Sequence, residues 1–74
     1  MREQVQHDRT GSLLKRIYEA YGALPPGERK VADAILNAPA EMAVWTASEL
    51  AGHAGVSNAT VSRIVQRLGY RSFE

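Results

Sequence analysis

Residues 46–69, TASELAGHAGVSNATVSRIVQRLG, place two helix starts and a helix stop so close together that the backbone has few ways to run. Thr46-x-x-Glu49 has the form of a capping box, in which the threonine oxygen and the glutamate carboxylate each take an N–H that the first helical turn leaves without a partner. Gly55 can adopt the left-handed backbone that ends a helix, and Ser57 can cap the next one. The stretch therefore predicts a short helix over about 47–54, a turn plugged by Val56, and a second helix over about 58–68 that stops at Gly69. On the second helix Val61, Ile64, Val65 and Leu68 fall at the i, i+3, i+4, i+7 spacing of a buried stripe. Asn58, Ala59, Ser62, Arg63, Gln66 and Arg67 are left on the opposite face, and its leading end is small and polar.

The remainder reads as further helix. The polar residues 1–11 are expected to form a flexible N-terminal arm, so that the folded domain spans 12–74. From Ser12, which can cap, Leu13, Leu14, Ile17 and Tyr21 make one apolar stripe that Gly22 closes. Leu24-Pro25-Pro26-Gly27 is a turn, and a helix follows over about 28–37 with Val31, Ala32, Ile35 and Leu36 inward and Arg29, Lys30 and Asp33 outward. After Pro39 a short helical turn brings Met42 and Trp45 to the core. Runs that alternate apolar and polar residues over a strand's length are missing, so the expected class is all-α: a small bundle of four to five helices containing a helix-turn-helix, homeodomain-like in its arrangement.

A chain of 74 residues has little room for a catalytic cavity, and no enzyme activity is expected. It has no cysteine, no apolar leader and no stretch approaching the roughly 18 to 20 apolar residues that cross a bilayer, which points to the cytoplasm and away from a membrane. The net charge of +1 acquires meaning only when divided along the chain. Residues 1–49 hold 6 basic and 7 acidic side chains, whereas residues 50–73 hold Arg63, Arg67 and Arg71 with no acid. Positive charge gathered in the last third favours a polyanionic partner there, although a solvated helix face would look the same.

A second helix whose free edge is small, polar and cationic suits entry into the major groove of duplex DNA, where amide, hydroxyl and guanidinium groups can pair with base edges. The residues expected to contact bases are Asn58, Ala59, Ser62 and Arg63, with Arg63 able to bond guanine bidentately. Phosphate contacts are expected from Thr46, Ser48, Ser57, Thr60 and Arg67, with Thr46, Ser57 and Thr60 also readable as capping residues. Arg29 and Lys30 read mainly as surface charge. The alternative is a helical interaction or dimerisation module that never touches DNA. His53 has no second ligand at helical spacing, and His7-Asp8 lies in the arm, so no metal, cofactor or catalytic site is expected. Tyr18, Tyr21, Trp45, Tyr70 and Phe73 read as core or dimer contacts and not as stacking platforms for single strands.

The segments LLKRIYEAYGAL, ERKVADAILNAP, TASELAGHAGVSNATVSRIVQRLGY and the closing RSF occur in the order shown by the RpiR family of bacterial transcriptional regulators. The chain resembles the N-terminal DNA-binding domain of that family from about Leu14 to Phe73. Tyr70 stands where the family often has phenylalanine. The resemblance implies a homodimeric regulator of sugar or carbon metabolism genes. In it this domain precedes a sugar isomerase-type domain, absent from this chain, that binds a phosphorylated sugar. The family pattern continues past Phe73-Glu74, so the chain is expected to be a piece of a longer protein.

Overall fold

The computed structural model describes the backbone of residues 3–71 and the side chains of residues 11–71. Among the described residues five α-helices follow one another: α1 (Glu3–Ala20), α2 (Pro26–Asn37), α3 (Pro39–Met42), α4 (Ala47–Ala54) and α5 (Asn58–Arg67), with a 3-10 turn at Tyr21–Ala23 between α1 and α2. No strand occurs among the described residues.

The expected start of α1 at Ser12 is corrected. The backbone is helical from Glu3, so residues 3–11, read as an arm, continue the first helix. Thr10, Gly11 and Ser12 are poor helix formers, but glycine costs only about 1 kcal/mol against alanine inside a helix. Without a proline to remove a hydrogen bond, adding turns to a nucleated helix is easier than stopping it.

At the start of α2, Pro26 stands where a helix needs no N–H donor. The Ala38 backbone leaves the helical region at φ −144°, and Pro39 then starts the single turn of α3. Helices α2, α4 and α5 each pack on the other two. Their shared centre is Val31, Leu50, Val61 and Ile64, all at 1% exposure or less, joined from α1 by Ile17 at 0%. Met42 is buried, Trp45 is partly buried against the same core, and Leu36 is likewise half-buried.

Two arginines, Arg29 and Arg16, close the outer contacts. Arg29 was read as outward, yet it is half-buried: its Nη2 donates to the Leu24 carbonyl at 3.1 Å and its guanidinium lies 5.4 Å from the centre of the Tyr21 ring. An aromatic face and a free carbonyl one turn away outcompete solvent for a planar cation. The Tyr21 hydroxyl donates to Asp33 Oδ1 at 2.7 Å. That bond foremost, with partial burial and the Asp33 charge, raises the phenol above its ordinary value of 10.0. Arg16 reaches from α1 to donate to the Leu68 carbonyl at 2.7 Å and lies 4.9 Å from the centre of the Tyr70 ring.

Helices α4 and α5 end alike. The N–H of Val56 bonds the Ala51 carbonyl at 3.0 Å around Gly55 (φ 74°), and the N–H of Tyr70 bonds the Val65 carbonyl at 3.0 Å around Gly69 (φ 98°). Both positions use the left-handed backbone that glycine adopts without strain. At Gly69 a Cβ would also sit 2.8 Å from Arg16 Nη1, displacing the group that holds the end of α5. Gly69→Ala is therefore expected to cost about 1–2 kcal/mol. In urea unfolding followed by circular dichroism this appears as a lower midpoint at unchanged slope; an unaltered midpoint would refute the account of this turn.

Candidate nucleic-acid interface

The edge that faces solvent is built from two capped helix starts. Thr46 Oγ1 accepts the Glu49 N–H at 3.1 Å and the Glu49 carboxylate accepts the Thr46 N–H at 2.8 Å, so the capping box read from the sequence is formed in full. Ser57 Oγ accepts the Thr60 N–H at 3.3 Å and starts α5. With both starts fixed and the turn held by Gly55, α4 and α5 pack together, and Leu50 and Ala51 share one core with Val61, Ile64 and Val65.

On α5 the two faces separate as the periodicity predicts. Val61, Ile64, Val65 and the following Leu68 are buried, while Asn58, Ala59, Ser62, Arg63, Gln66 and Arg67 are exposed. The four residues expected at base edges thus lie together on the first two turns. They are not loose. Asn58 Nδ2 donates to Ser48 Oγ at 2.9 Å, tying α5 to the first turn of α4. Arg63 Nη2 donates to Thr60 Oγ1 at 3.2 Å, and that oxygen lies 3.2 Å from Ser57 Oγ. Serine, threonine and arginine thereby form a polar line along the helix that folds the guanidinium back toward the N-terminus of α5, where free N–H groups and the helix dipole already favour an anion.

Of the residues expected at phosphate, Thr46, Ser48 and Ser57 are exposed. Thr60 is half-buried, its methyl group turned to the start of α2, where a Cβ on Gly27 would lie 3.4 Å from it. Its hydroxyl braces Arg63 more directly than it faces outward. Arg67 departs furthest from the sequence reading. Its Nε donates to Glu28 Oε1 at 2.6 Å and its Nη2 to Glu28 Oε2 at 3.3 Å. This pair holds the guanidinium even more firmly in its charged form than usual. The physical reason is Glu28 itself, 3% exposed: a carboxylate removed from water requires a cation, and Arg67 supplies it. A fork bound on both arms to a buried acid stitches α5 to α2 and is poorly placed to leave for a phosphate.

The burial of Glu28 has a signal in the sequence. Positions 28, 31, 32 and 35 are the i, i+3, i+4, i+7 phase of the α2 stripe, so this acid is aligned with buried Val31, Ala32 and Ile35. A charge in phase with an apolar stripe calls for a partner elsewhere in the chain. His53 is exposed, with its ring stacked on Trp45 at 3.9 Å between centroids. Tyr18, read as a core or dimer contact, is 68% exposed and so lies outside the core. Phe73, read alongside it, falls outside the described residues. Among the described residues no group of three His, Cys, Asp or Glu side chains could hold a metal ion, and no helix is long and apolar enough to cross a membrane.

Two helices crossed over a glycine turn, the second anchored underneath and polar at its leading edge, define a helix-turn-helix domain. The helix-turn-helix domain of the rpiR family matches residues 11–74. The chain belongs to that family, the helix-turn-helix DNA-binding domain of transcriptional regulators. It is 34% identical over 65 residues to an uncharacterized HTH-type transcriptional regulator of Haemophilus influenzae, covering 88% of this chain and 23% of that protein. It is 37% identical over 60 residues to the uncharacterized HTH-type transcriptional regulator YfhH of Escherichia coli K12, covering 81% of this chain and 21% of that protein. The chain thus spans less than a quarter of the length of these relatives. No solved structure shows a significant match.

Proposed function

We propose that the domain binds duplex DNA sequence-specifically as the DNA-reading part of a dimeric transcriptional regulator in the cytoplasm. Helix α5 enters the major groove, with Asn58, Ala59, Ser62 and Arg63 at base edges and Thr46, Ser48 and Ser57 at phosphates. The observation that carries this reading is the division of α5, whose branched aliphatic residues Val61, Ile64 and Val65 are buried while Asn58, Ala59, Ser62 and Arg63 face solvent on the leading turns. A helix used only for packing has no need of that edge. Two copies would read half-sites about 34 to 36 Å apart, one helical turn, or a multiple of it. The resemblance noted in the sequence supports a regulator of sugar or carbon metabolism genes that answers to a phosphorylated sugar bound on a further domain.

A single copy holds one half-site and few cations, so its affinity for random duplex is expected in the range of about 10⁻⁴ to 10⁻⁶ M, falling as salt rises. Fluorescence anisotropy over a salt series measures it. Selection from a random duplex pool then shows whether the recovered site has two-fold symmetry. Salt-independent or absent binding, with capture of a protein partner in its place, would replace this reading by that of an interaction module.

A further inference from the structure

We infer that Ser48 is a positioning residue that decides which base Asn58 reads, and that this base is adenine; the inference rests on the DNA-binding reading above. Ser48 and Asn58 are both exposed, on the first turns of α4 and α5, and they are joined by the bond from Asn58 Nδ2 to Ser48 Oγ at 2.9 Å. A side-chain amide has two N–H donors and one carbonyl oxygen, whereas a hydroxyl has one hydrogen and two lone pairs. With one N–H engaged by Ser48, Asn58 presents its other N–H and its oxygen side by side. That donor–acceptor pair complements adenine, whose major-groove edge offers N7 as acceptor and the N6 amino group as donor.

The hydroxyl hydrogen of Ser48 selects between the two settings of the amide. In the opposite setting Oδ1 would face Ser48 and need that hydrogen, and Asn58 would present two N–H donors, which suit the N7 and O6 acceptors of guanine. Phosphate oxygens only accept. A serine at the DNA backbone therefore donates its one hydrogen to phosphate and can only accept from Asn58, which holds the amide in the adenine setting. Ser48 in this way links a contact that carries no sequence information to one that does. The arrangement already exists in the free protein, so the amide arrives oriented and little rotamer freedom is lost on binding.

The experiment is selection from a random duplex pool with the 74-residue chain at low salt, for the wild type, Asn58→Ala, Ser48→Ala and Ser48→Thr. The position whose preference disappears in Asn58→Ala is the one Asn58 reads. There the wild type is expected to favour adenine over guanine by roughly ten-fold. Ser48→Ala should reduce that ratio to roughly two-fold or less while the other positions keep their preferences, and Ser48→Thr, which retains the hydroxyl, should restore it. A merely structural serine would shift all positions together or none. An adenine preference that survives Ser48→Ala, or guanine at that position in the wild type, overturns the inference and leaves DNA binding standing. Failure of the wild type to retain any duplex overturns the DNA-binding reading and this inference with it.

Discussion

Replacing Leu50 by alanine is expected to lower the stability of the domain by about 3 to 4 kcal/mol, the largest loss foreseen for any single substitution here. Leu50 is 0% exposed and belongs to α4, which meets both α2 and α5. Removing its branched end deletes buried apolar surface and leaves a hole that three helices, fixed by two caps and two glycine turns, cannot easily collapse. A domain of 74 residues has a total stability of roughly 4 to 11 kcal/mol, so the variant would lose a large part of it. Urea unfolding of both proteins, followed by circular dichroism, measures the difference. A loss below about 1 kcal/mol would mean that α4 is not anchored through this residue.

Arg63→Ala is expected to weaken binding to a selected duplex by roughly 10- to 100-fold, within the 1 to 3 kcal/mol that one bidentate guanidinium–guanine contact supplies. The salt series assigns the contact. If Arg63 reads a base, the loss is confined to sequences carrying that base; if it binds phosphate, affinity falls for every duplex and the log–log salt slope decreases by about 0.9. Arg67→Ala is the internal contrast. Its guanidinium is engaged by Glu28, so its removal strands a buried carboxylate, lowers the unfolding midpoint and leaves the salt slope unchanged. Equal affinities of wild type and Arg63→Ala for selected duplex at low salt would count heavily against α5 as the reading helix.

The edge that Arg63 leads is legible in the sequence because its determinants are local. Thr46 with Glu49 and Ser57 with Thr60 cap within one turn, Gly55 turns the chain by its own φ, and the burial of Val61, Ile64, Val65 and Leu68 follows from helical periodicity. The first helix begins about two and a half turns before the start expected at Ser12. Weak helix formers around Gly11 suggested a boundary, but their local cost is small beside the ease of continuing an existing helix.

The sequence by itself determined where α4 and α5 begin, where each ends, and which of their faces is buried, because those features depend on residues within one or two turns of one another. It also carried the order of segments that marks the family. Only the tertiary structure decided which of the outward polar groups are free. Arg67 is bound to an acid 39 positions earlier, Arg16 holds a carbonyl 52 positions later, and Asn58 is held by a serine on the neighbouring helix. A cation or an amide takes whichever partner the folded chain brings within about 3 Å, and no local pattern records that distance.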